Sequence, residues 1–210
     1  MIGQQTPKYY FPHKMGRIIL LAMEEVLGHT GVNAALNVAN LPNIINNYPP
    51  NDMDLGFAFD EISGILAALE KLYGTRGGRG LALRTGRACF KYGLREFGPM
   101  LGSTDLAFRL LPTNAKINTG AELLSNFLNE YTDQRGKVSE DADHFMWEIE
   151  RCPVCWGRQT DSPVCHLTIG ILQESLYWVS AGKFYNVEET HCIANGDPSC
   201  LIVVDKTPLE

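Results

Sequence analysis

The chain of 210 residues lacks a long uninterrupted apolar run. Its longest apolar stretch near the N-terminus, IILLAMEEVL, contains two glutamates, and the segment before it has no apolar core followed by a small-residue cleavage site. A membrane-spanning helix needs about 20 consecutive apolar residues, and a secretory signal needs the missing apolar core. The sequence therefore predicts a cytoplasmic protein without a transmembrane segment.

Clustered positive charge and nucleotide-binding fingerprints are also scarce. The net charge is −6, and basic residues concentrate only in residues 73–98. Nucleic-acid binding needs clustered Lys and Arg to neutralise phosphates, so none is expected. The glycines of 73–98 match neither a phosphate-binding loop nor a dinucleotide fingerprint. This segment is either a solvated helix face after a glycine-rich loop or a site for an anion or lipid headgroup.

Hydride chemistry needs a nicotinamide or flavin, and the sequence shows no fingerprint for either cofactor. It also has no Ser-His-Asp ordering typical of a hydrolase. We therefore expect no intrinsic catalysis. A reductase accessory and a metal-assisted hydrolase are the alternatives, and the latter would need a metal with an open coordination position.

The apolar pattern predicts helices first and strands later. Helical spacing recurs over residues 14–28, 58–73, 80–97 and 115–131, and a Pro- and Asn-rich loop covers 41–52. The pattern changes at about residue 137. In DHFMWEIERC, Phe145, Trp147 and Ile149 alternate with polar residues, which is typical of a half-buried strand. The sequence predicts one α+β domain over residues 1–210.

The C-terminal third predicts a strand, a helix and a β-hairpin. The helix should run from about 163 to 181, with Ser162 as its cap, and the hairpin should turn at Asn195-Gly196-Asp197. A strand–helix–strand unit usually forms a right-handed crossover between parallel strands. That geometry would bring the cysteines to one sheet edge, whereas a sheet order that separates the two strands would split them.

The stretch CPVCWGRQTDSPVCH and the final hairpin carry five of the six cysteines. A reducing cytoplasm disfavours disulfides. The remaining interpretations are a structural zinc site and a set of small buried thiols. A thioredoxin-type pair is disfavoured because seven residues separate Cys155 from the start of the predicted helix. The candidate zinc ligands are Cys152, Cys155, Cys165, Cys192 and Cys200, with His166, His191 or Glu189 as substitutes.

The motif E-x-x-C-x-x-x-G-x-x-x-C, carried by Glu189, Cys192, Gly196 and Cys200, resembles the 4-vinyl reductase domain. That domain occurs alone and as the sensor of phenol- and toluene-responsive transcription activators. The upstream LRTGRACFKYGLREFG resembles the Gly-Arg helix of the related Bet-type subunits of the TRAPP tethering complex. The motif-bearing core covers about residues 73–205.

The resemblance implies a fold like that of the TRAPP Bet-type subunits, with N-terminal helices packed on a small antiparallel or mixed sheet, often assembled as a dimer. We expect this chain to form a homodimer. It implies an internal apolar pocket for an aromatic or lipidic ligand, and a zinc site that includes Glu189, Cys192 and Cys200. In TRAPP subunits a cysteine of the Gly-Arg helix carries an acyl chain. Cys89 is the corresponding candidate here, and a buried structural cysteine is the alternative. The pair Cys152 and Cys155 departs from the sensors and leaves the exact ligand set open.

The leading functional hypothesis is a protein that binds a hydrophobic small molecule, lipid or acyl chain in an internal pocket. His144 could supply a hydrogen bond and Trp178 a stacking surface, although such aromatic residues also occur in plain cores. The alternatives are a dimeric tethering scaffold resembling TRAPP subunits and an accessory protein of tetrapyrrole vinyl reduction. The candidate ligand-binding residues are Phe90, His144, Trp147, Tyr177 and Trp178.

Overall fold

A computed structural model describes residues 7–101 and 106–209, so the first six residues of the N-terminal segment considered above lie outside it. Its helices are α1 (His13–Val38), α2 (Phe59–Phe97), α3 (Leu106–Leu110), α4 (Thr113–Tyr131) and α5 (His166–Val179), with short 3-10 turns at Pro42–Ile44 and Ile193–Asn195. Its strands are β1 (Tyr10–Pro12), β2 (Leu55–Ala58), β3 (Arg135–Glu140), β4 (His144–Arg151), β5 (Tyr185–His191) and β6 (Cys200–Pro208).

The two longest helices each contain a glycine kink. Gly28 has a φ of 71° within α1, and Gly74 has a φ of 73° within α2. Glycine adopts this left-handed conformation without a Cβ clash, so the chain changes direction and then resumes helical bonding. The predicted helices 58–73 and 80–97 are therefore two arms of α2. None of the described helices combines the length and the apolar character that a bilayer crossing requires.

The strands form two antiparallel sheets. The larger sheet has the order β3-β4-β6-β5, and β1 pairs with β2 in a two-stranded sheet. The predicted alternation on β4 is confirmed, since Phe145, Trp147 and Ile149 are all buried. Trp147 pairs with Ile202 and Ile149 with Cys200 on β6. The mixed α+β class is thus confirmed.

Two predictions about the C-terminal third are wrong. β4 and β5 are parallel to each other, as predicted, because both are antiparallel to β6, which lies between them. The expectation that such a separation would split the cysteines is wrong. Helix α5 begins at His166 rather than at 163, and Cys165 rather than Ser162 precedes it. The loop before α5 is instead held to the hairpin, because the Thr160 N–H donates to the Ala194 carbonyl at 2.8 Å. The antiparallel hairpin of β5 and β6 is confirmed.

Helices α2 and α5 meet at a pair of glycines. A Cβ atom added to Gly86 would collide with the Leu167 carbonyl oxygen and lie 3.0 Å from the Gly170 Cα. One added to Gly170 would collide with the Leu83 carbonyl oxygen. The two backbones therefore approach more closely than any other residue would allow. This contact packs α5 directly against the part of α2 that follows the kink at Gly74.

Candidate functional site

Five cysteines form a buried cluster at one edge of the larger sheet. Cys152 follows β4, Cys155 lies in the next turn, and Cys165 directly precedes α5. Cys192 follows β5, and Cys200 begins β6. The relative exposure of all five is 0%. The residues come from four separate segments of the chain, so the cluster joins the sheet, the loop and the helix.

The cluster forms although β6 separates β4 from β5, because β6 is antiparallel to both of these strands. Strand β6 begins at the sheet edge where β4 and β5 end, which brings Cys200 beside the residues that follow those two strands. The turn between β5 and β6 brings Cys192 back toward Cys200, with Gly196 at a φ of 98°. The Asp197 carboxylate accepts the Cys192 N–H at 2.8 Å and holds this turn. Separation of β4 from β5 therefore does not split the thiols.

The sulfur atoms are close enough to share a metal ion. The Sγ–Sγ distances are 3.5 Å for Cys152 and Cys165 and 3.4 Å for Cys155 and Cys200. Cys165 lies 3.8 Å from Cys200 and 4.0 Å from Cys192. With Zn–S bonds near 2.3 Å, the edge of a regular tetrahedron is about 3.8 Å. The observed distances lie on either side of that value.

Glu189 on β5 extends the cluster by a carboxylate. Its side chain is 6% exposed, and its Oε2 accepts the backbone N–H of Cys165 at 2.7 Å. Its Oε1 is buried and has no hydrogen-bond partner among the residues that the structure describes. Burial raises the pKa of Glu189, because desolvation disfavours the ionised form. A cation at this position would compensate both the charge and the unpaired oxygen.

Within the described residues, two groups of four donors have ligand atoms that all lie within 4.8 Å of one another. One group consists of Cys152, Cys155, Cys165 and Cys200, and the other of Cys165, Glu189, Cys192 and Cys200. Neither group contains a histidine. His191 is exposed, and burial lowers the pKa of His166 to about 4. The structure thus brings together all six residues in the predicted ligand set and leaves both substitute histidines outside it.

Hydrogen bonds among the clustered thiols shift their pKa values in different directions. Hydrogen bonds from Cys152 and the neighbouring thiols lower the pKa of Cys155. Hydrogen bonding within the same cluster raises the pKa of Cys152, Cys165 and Cys200. Because the five thiols are buried side by side, ionising several of them needs a positive charge inside the cluster. Divalent cations supply such a charge and deprotonate coordinating thiols.

A cavity of about 270 Å³ lies between the larger sheet and helices α1, α2, α4 and α5. Its walls are mostly apolar, with aromatic side chains from α2, α4 and β4 and leucines from α4 and α5. The few polar side chains along it are Lys116, Gln134, Thr168 and Ser175. Such a composition suits an apolar ligand with few polar atoms.

Three of the five predicted ligand-binding residues line this cavity. They are Phe90, Trp147 and Trp178, and the rings of Phe90 and Trp178 lie 6.1 Å apart between centroids. Tyr177 lies outside the lining because consecutive helical residues point in different directions. Its ring packs on Phe184 at 5.0 Å between centroids and is 41% exposed.

His144 also lies outside the cavity lining. It begins β4, and its Nδ1 is 3.2 Å from a carboxylate oxygen of Asp141 in the turn after β3. The same carboxylate oxygen accepts the His144 backbone N–H at 2.7 Å. The geometry assigns this histidine to the turn rather than to the cavity.

The α4 wall of the cavity was missed by sequence reasoning. Leu124 and Phe127 of this helix line the cavity, and Phe127 stacks near Phe97 with ring centroids 5.1 Å apart. The helical spacing over 115–131 predicted the helix but gave no indication of what its apolar face covers. Cys89 lines the cavity as well. Burial raises the pKa of its thiol, which disfavours a nucleophilic thiolate.

The cluster and the cavity share part of their walls. Pro153 and Val154, which lie between Cys152 and Cys155, line the cavity. Leu167, two residues after Cys165, does the same. The turn that carries two thiols is therefore also a wall of the cavity.

Comparison with known proteins supports the assignment of the C-terminal third. Residues 145–206 match the family model of the 4-vinyl reductase domain, so the resemblance is confirmed for this segment. It includes all five clustered cysteines and Glu189. No curated protein sequence matches the chain significantly.

Solved structures match the fold over almost the full chain. An H-NOX protein from K. algicida in the Fe(II) unliganded state aligns with a TM-score of 0.60 at 13% identity, over 95% of this chain and 97% of that one. An H-NOX protein from S. oneidensis in the Fe(II)NO state aligns with a TM-score of 0.55 at 11% identity, over 92% and 99%. The phenol-responsive sensory domain of the activator PoxR, solved with phenol, aligns with a TM-score of 0.46 at 20% identity, over 69% and 73%.

The fold is therefore similar to H-NOX domains, and the expected TRAPP-like architecture is corrected. The alignments extend over almost the full chain, so they include its long helices as well as the larger sheet. The short TRAPP-like motif lies in α2 and includes Gly86, the glycine at the close contact with α5. A glycine at a close helix crossing can occur in several helical folds. The comparisons give the TRAPP relation no support.

The description of another matched H-NOX structure mentions haem. We therefore compared the residues of this cavity with those that haem needs. Haem iron is held by His, Cys, Met or Tyr side chains. The described cavity lining contains no His and no Tyr. Its sulfur donors are Cys89, whose raised pKa keeps it a thiol, and the thioethers of Met15 and Met146. Lys116 is the single cationic side chain described along the cavity. The residues present do not fit a histidine-ligated haem.

Proposed function

We propose that this chain is a small-molecule-binding sensory domain that takes an apolar ligand into the cavity beside a structural zinc site. The observation that carries the proposal is the apolar cavity of about 270 Å³ enclosed by aromatic and leucine side chains. Packed interiors have few voids larger than a water molecule. A space of this size with such walls gains free energy when an apolar molecule fills it.

The ligand we expect is uncharged, mostly apolar and equipped with at most one hydrogen-bond acceptor. Phe90 and Trp178 offer aromatic faces at one wall. The indole Nε1 of Trp147, a cavity-lining residue, is buried and has no hydrogen-bond partner within the described part of the chain. An unpaired buried donor costs free energy, which a ligand oxygen would recover once the indole ring turns this atom toward the cavity. Aromatic compounds, lipids and acyl chains all meet this description.

The zinc site is proposed from the donor group that includes the 4-vinyl reductase motif. Cys165, Glu189, Cys192 and Cys200 offer three sulfurs and one oxygen within 4.8 Å of one another. Zinc favours four such donors in a tetrahedron, and four protein donors leave no open position for catalysis. The ion would hold together α5, β5 and β6 at this edge of the sheet.

The test uses two identical substitutions on one helix. Gly93 lines the cavity and Gly80 does not, yet a Cβ atom added at either position meets no atom within 4 Å. Gly93→Leu should fill part of the cavity and weaken binding of the fluorescent probe N-phenyl-1-naphthylamine at least about tenfold. Gly80→Leu should leave the affinity unchanged within about twofold. Equal affinities of the two variants would place the probe elsewhere and contradict the proposed cavity.

Further properties stay predictions of the same proposal. A homodimer would show no monomer when sedimentation is measured at two concentrations. An acyl chain on Cys89 would add its mass to the denatured polypeptide, and Cys89→Ser would remove that excess. Turnover of a vinyl or ester substrate by the purified protein alone would contradict the absence of intrinsic catalysis.

A further inference from the structure

We infer that the cysteine cluster binds two divalent zinc ions rather than one, with the thiolates of Cys165 and Cys200 bridging them. The inference rests on the metal part of the proposed function and adds a second site to it. The first ion is the one held by the group that includes the 4-vinyl reductase motif. The second ion lies toward Cys152 and Cys155, the pair that the resemblance does not account for.

The number of donors carries the first step. The two donor groups together comprise five cysteines and one glutamate, and they share Cys165 and Cys200 and no other residue. A tetrahedral zinc ion takes four donors. Six donors with two of them shared satisfy two such ions completely. One ion would leave two buried donors without a role, whichever group it used.

The distances carry the second step. The shared pair lies 3.8 Å apart, which equals the tetrahedral edge of about 3.8 Å expected for zinc thiolates. Each shared thiol also lies close to an unshared one on the Cys152–Cys155 side, since Cys152 is 3.5 Å from Cys165 and Cys155 is 3.4 Å from Cys200. On the opposite side, Cys165 is 4.0 Å from Cys192. The edge between the two shared sulfurs therefore belongs to both tetrahedra.

Charge balance carries the third step. When ionised, the six donors bring six negative charges into a site where every cysteine is fully buried. An uncompensated buried charge costs roughly several kcal/mol per ionised group, even after the protein relaxes around it. Two divalent ions cancel four of the six charges, whereas one cancels two. With two ions the site keeps the same net charge as an ordinary four-thiolate zinc centre.

Two polar contacts fit metal binding at the cluster. The Ile193 N–H donates to the Cys200 sulfur at 3.4 Å, which stabilises the ionised form that a metal ion binds. The buried Oε1 of Glu189 has no partner in the described residues, while its Oε2 is occupied by the Cys165 N–H. The free oxygen is therefore the ligand atom that Glu189 offers to the first ion.

The second ion would fix the turn between Cys152 and Cys155. Pro153 and Val154 of this turn line the cavity. Without a second ion, the contacts described between this turn and the other cluster residues are the weak thiol hydrogen bonds of Cys152 with Cys165 and of Cys155 with Cys200. The additional ion therefore stiffens a cavity wall that the first ion does not reach.

The experiment counts metal in the whole chain after zinc reconstitution under reducing, anaerobic conditions. Native mass spectrometry and elemental analysis should give two zinc ions per chain. The double variant Cys152→Ser with Cys155→Ser should retain one ion, because the group of Cys165, Glu189, Cys192 and Cys200 stays intact. A matched control, Cys89→Ser, changes a buried cysteine outside the cluster and should retain both ions.

Cobalt substitution provides a measurement that does not depend on the folding of a variant. Two Co²⁺ ions bridged by thiolates are magnetically coupled, so the magnetic moment per cobalt in the wild type should fall below that of an isolated tetrahedral ion. One ion per wild-type chain, or two uncoupled ions, would overturn the bridged pair while leaving the proposed structural zinc in place. No bound zinc would overturn both, and iron with acid-labile sulfide would replace the pair by a different cluster.

Discussion

The cysteine cluster and the apolar cavity lie side by side but are specified in opposite ways. The cluster consists of six donors at one sheet edge, five of them the same residue type. The cavity has no characteristic residue, and its walls come from segments between Phe11 and Val204. A cluster depends on donor atoms that can share a metal ion, whereas a cavity depends on side chains that stop short of filling a space. Substitutions should therefore affect the two regions very differently.

The largest effect is expected for Cys165→Ser, because Cys165 belongs to both donor groups. The variant should lose all bound zinc and be unfolded or molten at 25 °C. Zinc binding in structural sites contributes about 10 kcal/mol or more, which is comparable to the whole stability of about 5 to 15 kcal/mol for a typical domain. Near-ultraviolet circular dichroism and thermal unfolding would measure the change.

The matched control for that substitution is Cys89→Ser, also a buried cysteine but one that lines the cavity. It should cost about 1 to 3 kcal/mol, the penalty of burying a hydroxyl in an apolar site. Equal losses for the two variants would show that the cluster thiols contribute only as small apolar side chains, and the proposed metal site would then be abandoned.

The next effect concerns the helix crossing that supports the cavity. Gly170→Ala should destabilise the fold by about 3 kcal/mol, because its methyl group would collide with the Leu83 carbonyl oxygen. Gly80→Ala on α2 meets no atom within 4 Å and should instead be neutral or stabilising by up to about 1 kcal/mol. Urea unfolding of both variants measures the difference. A neutral Gly170→Ala would mean that α2 and α5 are further apart than the structure places them.

A smaller effect should separate hydrogen bonding from packing inside the cavity. Trp147→Phe removes the unpaired Nε1 donor and keeps an aromatic ring on β4. Its affinity for 1-naphthol should fall about fivefold, equivalent to about 1 kcal/mol, while its affinity for naphthalene should change less than about twofold. Fluorescence titration of the two probes gives both values. The same loss for both compounds would assign Trp147 to packing alone.

Still smaller effects are expected at His144, which sequence reasoning placed with the ligand. His144→Ala should leave the affinity for N-phenyl-1-naphthylamine within about twofold of wild type and change the melting temperature by less than about 3 °C. Its partner Asp141 is exposed, so the lost contact is worth little. A tenfold loss of affinity would return His144 to the ligand-binding set.

The smallest effect is a pH dependence at the same turn. Hydrogen bonds from the backbone N–H groups of Asp143 and His144 lower the pKa of Asp141. The stabilisation is complete above the pKa of about 3.9 in the unfolded chain and is lost as the pH falls through the lower folded value. The difference in melting temperature between wild type and Asp141→Asn should therefore shrink from about pH 5 to about pH 2. A difference that grows on acidification would contradict the direction of this shift.

The fold was predictable where local patterns decide it. The alternation of Phe145, Trp147 and Ile149 required a strand with one buried face, and Gly196 marked the hairpin turn. The positions of the strands in the sheet were not predictable in this way. Chain order left open whether another strand separates β4 from β5, and β6 pairs with both because an antiparallel hairpin can insert its second strand between them. Helix periodicity also could not distinguish a kink at Gly74 from a helix end.

The two parts of the site also differ in how far the sequence predicts them. The spacing of Cys152 and Cys155 and the motif from Glu189 to Cys200 identified every member of the cluster except Cys165, because ligand chemistry restricts the residue types. Cys165 was included because it starts the segment that leads into the predicted helix. The cavity was predictable only in part, since Trp178 lines it and the adjacent Tyr177 does not. That distinction depends on the exact start and rotation of α5, and the predicted start was three residues too early.

Pro153, Val154 and Leu167 belong to the cluster's scaffold and to the cavity wall at once. This shared wall would link the two proposed occupancies thermodynamically: whatever free energy a bound metal contributed to positioning the wall would appear equally as a change in ligand affinity and in metal affinity. A ligand that fits the fixed wall should slow zinc release to a chelator. Removing the proposed zinc would, through the same three residues, lower the affinity of the pocket for its ligand.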